Sequence, residues 1–296
     1  MRLPADGPWV TLRDHLVDRL PVPAERVEAM LAEGRIVTHD GPLAPDAPFV
    51  PGSVIWFHRD LPDEVPVPFD VEVVHRDEAI LVVDKPHFLA TIPRGRHVLE
   101  TALVRLRHSL DLPELSPAHR LDRVTAGLVL LVVRPELRGA YQNLFRDRRV
   151  AKSYEAVAPT PGGLTLPREV TSRIEKTRGV LTAVETDGEP NARTTVELLE
   201  ARGDFARYRL VPHTGRTHQL RVHMASLGLP ILGDSFYPTL HDVGLDDFRA
   251  PLQLLARTLA FEDPLTGQPR AFTSRRTLQA WTDPRGWAAG PERTSP

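Results

Sequence analysis

The N-terminal part of the chain combines a helical hydrophobic pattern with short apolar segments. Leucines recur every four residues from Leu12 to Leu20, which places them on one face of a helix. A second helix is predicted between Pro23 and Gly34, because proline suits the first turn of a helix and glycine its C-terminal end. The segments IVTHDG and SVIWFHRD that follow are typical of short strands. The pattern therefore predicts a small α+β domain over residues 1–65.

A linker and then a succession of apolar strands follow this domain. Residues 61–70 read LPDEVPVPFD, and their prolines without apolar alternation indicate a linker. The runs VEVVH, AILVVD and GLVLLVV are rich in valine and leucine, as buried strands are. The segments TTVELLEA and FARYRLV are separated by a turn at Gly203-Asp204, so they predict a hairpin.

Two amphipathic segments predict helices among these strands, at residues 135–147 and 217–228. Runs of strands with few helices favour an α+β domain with a mostly antiparallel sheet, here over residues 70–283. The polar end of the chain, residues 284–296, is predicted to be a flexible tail.

Composition indicates a folded protein and excludes some kinds of site. The chain has 296 residues, of which 41% are hydrophobic and 26% are charged, enough for a sizeable core. It contains no cysteine, so disulfides and cysteine-ligated metals are excluded. No apolar run approaches the roughly 20 residues of a membrane helix, and the N-terminus lacks the pattern of a secretory signal. We therefore expect a cytoplasmic protein without a membrane partner.

Charge is distributed unevenly along the chain. The total is −2, but residues 1–70 carry −6 and the remaining residues carry +4. Nucleic-acid binding requires a local positive surface rather than a basic total. The charge therefore neither indicates nor excludes an RNA partner.

Three segments place polar side chains next to strongly apolar ones. In the first, Asp122 lies between Arg120 and Arg123, directly before the strand GLVLLVV. Flanking arginines favour the ionised carboxylate, which is the competent form for a nucleophile or a base. The alternative interpretation is a surface aspartate in an ordinary ion pair.

The second segment concentrates histidines and arginines around the start of a predicted helix. His213, His218 and His223 lie five residues apart, and Arg216 and Arg221 lie between them. A phosphate or RNA site, a metal site and a polar helix entrance without function are all consistent with this composition. The five-residue spacing is poor for a single helical face, which disfavours a metal site.

The third segment opens a strand after a basic stretch. Lys152 and Tyr154 follow Arg146, Arg148 and Arg149. The tyrosine ring is suited either to stacking on a nucleobase or to packing in the core.

Together these segments resemble the RluA-type family of RNA pseudouridine synthases, in family order over roughly residues 71–275. The matching motifs are Asp84-Lys85-Pro86, His119-Arg120-Leu121-Asp122-x-x-Thr125-x-Gly127-Leu128, Lys152-x-Tyr154-x-Ala156, the His213 to His223 segment, and Gly233-Asp234-x-x-Tyr237. Two departures are Ala126, where the family usually has serine, and Leu255-Ala256-Arg257, where it often carries histidine. The resemblance implies an α+β synthase domain with a mostly antiparallel mixed sheet, preceded by a small α+β RNA-binding-like domain.

The resemblance also implies a reaction and its catalytic residues. Uridine becomes pseudouridine when the uracil–ribose bond breaks and the ring rejoins through carbon 5. Because nothing is added or lost, no cofactor or metal is expected. Asp122 matches the essential carboxylate, Arg221 the arginine that pairs with it, and Tyr154 a tyrosine that contacts the uracil.

Substrate recognition follows from the same resemblance. The target uridine is expected to flip out of its stack, and Arg120 matches the residue that fills the vacated space. The other substrate-binding candidates are His119, Thr125, Lys152, Arg216 and His218. Large-subunit ribosomal RNA is the favoured substrate, with transfer RNA as the alternative, and the enzyme is expected to be a monomer.

Two other functions stay open at the level of sequence. One is a non-catalytic RNA-binding protein on the same scaffold. The other is a metal-dependent hydrolase built on His119, Asp122 and the histidines of the second segment. Residues 1–65 resemble a small RNA-binding fold more faintly, and their acidity leaves RNA binding and a purely structural role equally open.

Overall fold

The structure is a computed structural model that describes residues 1–20, 22–57, 64–95 and 97–289. The chain divides into two compact units, Met1–Pro62 and Asp63–Pro296. This division lies inside the segment interpreted as a linker. Among the described residues, no helix has both the length and the apolar character needed to cross a membrane.

The N-terminal unit packs two helices against a small antiparallel sheet. Its elements are α1 (Leu12–Arg19), α2 (Ala24–Ala32), β1 (Ile36–Thr38), β2 (Gly41–Pro42) and β3 (Trp56–Phe57), with strand order β2-β1-β3. Thr11 and Asp14 form a reciprocal capping box that begins α1. The core of the unit contains Leu12, Leu16 and Val27, so both predicted helices are confirmed.

The second unit is built on one mixed sheet. The strands are β4 (Glu72–Arg76), β5 (Ile80–Lys85), β6 (Ser116–Pro117), β7 (Ala126–Val132), β8 (Val150–Pro159), β9 (Arg168–Glu175), β10 (Val184–Thr186), β11 (Ala192–Arg202), β12 (Phe205–Pro212), β13 (Leu254–Glu262) and β14 (Pro269–Thr273). The main path is β10-β9-β11-β12-β8-β13-β7-β5-β4, with β14 beside β13 and β6 beside β7. Among the strands of the described residues, only β13 and β7 pair in parallel. The predicted mostly antiparallel mixed sheet is confirmed.

Helices cover both faces of this sheet. They are α3 (Ala102–Ser109), α4 (Arg138–Arg146), α5 (Gln219–Ser226), α6 (Gln279–Thr282) and α7 (Pro284–Ala289). The helix predicted over 135–147 begins as a 3-10 turn at Pro135–Leu137 and continues as α4. The helix predicted over 217–228 begins later, because His218 has a left-handed backbone conformation with φ 58°.

The end of the chain differs from the flexible tail that we predict from residue 284. Pro284–Ala289 form α7, and the Trp287 indole Nε1 donates a hydrogen bond of 2.9 Å to the carbonyl of Pro251. The prediction rests on the polar composition of the segment, which does not show that Trp287 binds to the rest of the unit. Residues 290–296 lie outside the described part of the chain.

Strands β5 and β7 are buried on both faces. Leu81, Val83 and Leu131 point into a cluster with α3, while residues next to them in sequence, such as Val82 and Leu130, join a cluster with α4. Side chains alternate between the faces of a strand, so a continuous apolar run such as GLVLLVV packs against helices on both faces of the sheet. The loop that precedes β7 is thereby attached to a strand that is buried along its whole length.

The parallel pair β7–β13 brings distant segments together. Gly127 in β7 is the partner of Ala256 in β13, and Ala256 is also the partner of Tyr154 in β8. At Gly127 φ is 113°, and a Cβ atom there would approach the Ala256 backbone to 2.4 Å. Only glycine permits this approach. The segment before β7 and Tyr154 therefore flank the same strand.

Candidate active site

The loop that carries Asp122 is held from both sides. The Thr91 hydroxyl accepts the Leu121 N–H at 3.1 Å and donates to the Leu121 carbonyl at 2.8 Å. The Thr125 N–H donates to the Asp122 carbonyl at 3.1 Å. The Asp122 side chain is 30% exposed, whereas the Arg221 side chain opposite is 2% exposed. The loop is therefore fixed while its carboxylate stays open to a cavity.

This cavity, called the Asp122 cavity below, has a volume of about 320 Å³. It contains every predicted site residue, from the signature segment, from β8 and from the segment around α5. Those residues are His119, Arg120, Asp122, Thr125, Lys152, Tyr154, Arg216, His218 and Arg221. Positions up to a hundred residues apart in sequence thus converge on one carboxylate.

Arg221 is bound chiefly by a residue to which we assign no role from the sequence. Its Nε and Nη2 donate to the carboxylate of Asp234 at 2.8 and 2.5 Å, whereas its Nη1 lies 3.9 Å from Asp122 Oδ2. A buried guanidinium needs a compensating charge with good geometry, and Asp234 supplies it. The pairing of Arg221 with Asp122 is therefore present only as a longer contact, which leaves the Asp122 carboxylate free for substrate.

Asp234 itself is positioned by backbone groups. One of its oxygens accepts the N–H groups of Phe236 and Tyr237, at 2.8 and 3.1 Å. Its side chain is 1% exposed. The motif Gly233-Asp234-x-x-Tyr237 contains the signal for this residue, but a motif does not show which side chain the aspartate contacts.

Tyr154 lies between the core and the cavity. Its ring packs against the cluster around α3 and the cluster around α5. Burial, and secondarily the charge of Asp122, raises the pKa of the Tyr154 hydroxyl well above its usual value. The hydroxyl therefore stays protonated at neutral pH and can donate a hydrogen bond into the cavity. Core packing and a place in the site are thus compatible for this residue.

His218 faces the same carboxylate from the start of α5. Its Nε2 lies 3.9 Å from Asp122 Oδ2, and its Nδ1 lies 2.9 Å from the Tyr237 hydroxyl. Burial lowers the pKa of His218 to about 4, against the opposing charge of Asp122. The imidazole is therefore neutral at physiological pH.

His119 and Thr125 line the cavity and are also tied to the fold. The His119 ring stacks on Phe145 with centroids 4.3 Å apart, and its Nε2 accepts the Leu130 N–H at 3.1 Å. Burial lowers the pKa of His119 to about 3. Thr125 is 3% exposed. One ring nitrogen of His119 is thus engaged by β7 rather than available to substrate.

The remaining candidates lie toward the opening of the cavity. Arg120 and Arg216 are exposed, and Lys152 is half-buried. Burial lowers the pKa of Lys152. Lys152 and Arg216 also line a larger neighbouring cleft of about 1030 Å³. The basic residues of this cleft, called the basic cleft below, are Arg146, Arg148, Lys152, Arg193, Arg209, Arg216 and Arg257.

The three histidines of the second segment do not converge. His213 Nε2 contacts Thr195, at 2.9 Å, and His223 is buried between Thr194 and Ser172, at 2.9 and 3.0 Å. Only His218 reaches the Asp122 cavity. In the part of the chain that the structure describes, no group of three histidine or acidic side chains could hold a metal ion.

Lys85 is a further buried charge near the site. Its Nζ donates to the carbonyls of Pro86, Leu89 and Arg123, at 2.9, 2.8 and 3.3 Å. Burial lowers the pKa of Lys85 to about 7, and the charge of Asp122 opposes this shift. The motif Asp84-Lys85-Pro86 thus supports the Asp122 loop through the Arg123 carbonyl.

Comparisons with known proteins identify the family of this chain. The family model of RNA pseudouridylate synthase matches residues 79–226. The dual-specificity RNA pseudouridine synthase RluA of Salmonella typhi is 35% identical over 207 residues, 68% of this chain and 90% of that protein. The chain belongs to the RluA-type family of RNA pseudouridine synthases. It is therefore an enzyme that isomerises uridine in RNA.

Other RluA-type synthases and related structures extend the match. The ribosomal large subunit pseudouridine synthase D of Vibrio vulnificus is 32% identical over 270 residues, 83% of this chain and 81% of that protein. The structure of human RNA pseudouridylate synthase domain containing 1 superposes with a TM-score of 0.58 at 24% identity, over 73% of this chain and 87% of that one. The latter shows a shared fold.

One departure from the RluA-type pattern has a local explanation. Ala126, which replaces the usual serine, is fully buried in an apolar cluster with Val157, Leu255 and Leu278. A hydroxyl there would need a partner that this cluster does not offer. Ala126 is not among the residues that line the Asp122 cavity.

Proposed function

We propose that this RluA-type synthase isomerises a specific uridine in structured RNA, with Asp122 as its essential carboxylate. The observation that carries the proposal is the open carboxylate of Asp122 in a cavity that shares Lys152 and Arg216 with the basic cleft. The cavity suits one nucleoside, and the cleft suits the phosphates on either side of it.

The catalytic roles follow from the geometry around Asp122. Arg221, held by Asp234, compensates the carboxylate charge without occupying it. Asp122 acts while the C1′–N1 bond breaks and a C1′–C5 bond forms, with the C5 proton leaving and N1 gaining a proton. Tyr154 contacts the uracil and assists the late proton transfer. All atoms come from the nucleotide and solvent, so no cofactor enters the scheme.

Access to Asp122 requires a flipped nucleotide. A base inside a helix cannot reach a carboxylate within a cavity, and its unstacking costs a few kcal/mol. Arg120, exposed at the opening, is suited to fill the vacated space because a guanidinium both stacks on bases and binds phosphate. Lys152 and Arg216 contact the RNA backbone, while His119, Thr125 and His218 contact the flipped nucleotide.

Large-subunit ribosomal RNA is the favoured substrate in this proposal. The Vibrio vulnificus relative, named for the ribosomal large subunit, matches 83% of this chain, while the Salmonella typhi RluA matches 68%. Transfer RNA is the alternative. A folded RNA of this kind goes with a cytoplasmic enzyme, and we propose that the enzyme acts as a monomer.

The test is tritium release from RNA transcribed with 5-tritiated uridine. Wild-type enzyme is expected to release the label because carbon 5 must lose its hydrogen when it bonds to the ribose. Asp122→Asn is expected to release none, while RNA affinity and the unfolding midpoint stay near the wild-type values. Release by the Asn variant would refute the role of Asp122. No release by wild type from ribosomal or transfer RNA would favour a non-catalytic RNA-binding protein.

A further inference from the structure

The hydroxyl of Tyr237 has three hydrogen-bond partners but only one proton. It donates to the Ala183 carbonyl at 2.8 Å and accepts the Ala183 N–H at 2.8 Å. Its third partner, His218 Nδ1, lies at 2.9 Å. Because the single phenolic proton is directed to the carbonyl, the contact with His218 must be donated by the imidazole. His218 therefore carries a proton on Nδ1.

The second ring nitrogen of His218 is consequently an acceptor. The low pKa of about 4 leaves the ring with one proton at neutral pH, so Nε2 has a free lone pair. This atom lies 3.9 Å from Asp122 Oδ2, beyond hydrogen-bond distance. Two acceptors therefore lie near one another without a hydrogen bond between them, and a donor on the substrate can bind in the gap.

A uridine within an RNA chain offers few such donors. Its uracil and ribose have only two, the N3–H and the 2′-hydroxyl, because the 3′ and 5′ oxygens are esterified. The N3–H lies on the ring edge far from the glycosidic bond, whereas the 2′-hydroxyl is on the carbon next to C1′. Asp122 acts at that bond, so an acceptor beside it faces the 2′-hydroxyl.

We infer that His218 Nε2 accepts a hydrogen bond from the 2′-hydroxyl of the target uridine, and that Tyr237 is a positioning residue that keeps Nε2 unprotonated. The inference rests on the proposed function of Asp122. It makes His218 a specificity residue for ribose over deoxyribose, since the 2′-hydroxyl is the group by which proteins distinguish RNA from DNA.

The backbone at His218 supports a functional placement. Its φ of 58° is a left-handed conformation that costs energy for residues other than glycine, and asparagine tolerates it best. Strained backbone of this kind is retained where the surrounding structure holds a side chain in position for function. Stability alone would favour asparagine at this position.

The decisive comparison is His218→Gln against His218→Asn. The glutamine amide places an acceptor near the position of Nε2, whereas the asparagine amide reaches only the position of Nδ1 and keeps the donor to Tyr237. We expect tritium release by the Asn variant to fall about 10-fold to 100-fold, the effect of a lost hydrogen bond to a buried group. The Gln variant should retain more activity, even though the Asn variant unfolds at an equal or higher temperature.

Each outcome of this comparison is informative. An Asn variant as active as the Gln variant would overturn the acceptor role and leave His218 a backbone residue. If wild type releases tritium and both variants lose the same share of this activity, the inference is contradicted and the proposed function still holds. Absence of release by wild type from every RNA would contradict the proposed function first.

The donor is tested with RNA that carries 2′-fluorouridine or 2′-deoxyuridine at the mapped target. Neither sugar can donate, so His218→Asn should weaken binding of the natural RNA at least 3-fold more than binding of the substituted RNAs, by about the value of one hydrogen bond. The same loss with all three RNAs would exclude the 2′-hydroxyl as the donor.

The positioning role of Tyr237 has a readout that needs no RNA. Long-range ¹H–¹⁵N spectra of histidine-labelled protein distinguish the two tautomers, and the His218 signal is identified by its absence from the His218→Gln variant. Wild type should show the Nδ1–H tautomer. Tyr237→Phe should shift His218 to a mixture of tautomers. An Nε2–H tautomer in wild type would overturn the inference.

Discussion

At the scale of single residues, the site depends on how buried charges are compensated. Arg221 is 2% exposed and its closest carboxylate belongs to Asp234, which is 1% exposed. Asp122, 30% exposed, shares the guanidinium at a longer distance. This division lets one carboxylate act as a structural counterion while the other remains open to the Asp122 cavity.

Removing the buried counterion should be costly. We expect Asp234→Asn to lower the free energy of unfolding by about 3 kcal/mol, because it leaves the buried guanidinium with only its longer contact to Asp122. Urea denaturation followed by fluorescence measures this change. Glu200→Gln, which disturbs the exposed pair of Glu200 with Arg202, is the matched control and should cost under about 1 kcal/mol. Equal effects of the two substitutions would contradict the assigned role of Asp234.

The buried histidines make stability sensitive to acid. The pKa of His119 is lowered from 6.5 to about 3 in the folded protein. Between these two pH values the unfolded chain binds a proton at this residue and the folded chain does not. Stability from this group is complete above pH 6.5 and is lost as the pH falls toward 3. In that window each such histidine lowers the free energy of unfolding by about 1.4 kcal/mol for every unit by which the pH falls.

The variant His119→Gln tests this linkage. Glutamine keeps an acceptor for the Leu130 N–H but has no titratable proton. The loss of unfolding free energy between neutral pH and about pH 5 should be smaller in this variant by about 2 kcal/mol. A decline as steep as that of wild type would show that His119 is protonated in the folded state.

At the scale of elements, the approach of β7 to β13 decides whether Asp122 and Tyr154 meet. Periodicity predicts the strands themselves, because valine-rich and leucine-rich runs are a local property. Their parallel pairing through Gly127 and Ala256 is not local, since the two strands are more than a hundred residues apart. The start of α5 shows the same limit, because the left-handed His218 delays a helix whose apolar pattern begins earlier.

Gly127→Ala tests the importance of this approach. The added methyl would meet the Ala256 backbone at 2.4 Å and would require alanine at φ 113°. We expect a loss of about 2–3 kcal/mol in unfolding free energy and a loss of tritium release, as β7 moves away from β13. Gly163→Ala is the control, because a Cβ there meets nothing within 4 Å. Full activity of Gly127→Ala would contradict the close approach.

At the scale of the whole molecule, charge is segregated by unit. In the N-terminal unit Arg13, Arg19, Arg26 and Arg35 each lie within 4 Å of a carboxylate of the same unit. In the second unit exposed arginines line the basic cleft beside the Asp122 cavity. Four of the seven basic residues of that cleft, Arg146, Arg193, Arg209 and Arg257, also lie within 4 Å of a carboxylate, so the positive charge of the cleft is partly compensated.

The basic cleft should make RNA binding dependent on salt. Arg216→Gln is expected to weaken RNA binding and to reduce the slope of log affinity against log salt by about 0.7 to 0.9, the value for one phosphate contact. Filter binding over a range of salt concentrations measures the slope. Arg249→Gln, an exposed arginine paired with Asp247 and absent from the cleft lining, is the control. An unchanged slope for Arg216→Gln would remove this residue from the RNA contacts.

The sequence alone determined the family and most of the strands, and it is the source of the proposal that Asp122 is the catalytic carboxylate. The motif around Asp122, the Tyr154 segment and the Arg221 helix are contiguous patterns, so short stretches of chain contain their signal. Apolar runs likewise determine which strands are buried, because burial of both faces needs no knowledge of the partner strand.

Tertiary structure alone decided which groups share the Asp122 cavity and in what state. The bond between Arg221 and Asp234, the contact of His218 with Tyr237 and the separation of His213 and His223 all depend on how the chain folds. Hydrogen-bond partners and burial set protonation and charge compensation. Both are properties of the folded surroundings, which explains why residue types and spacing did not predict them.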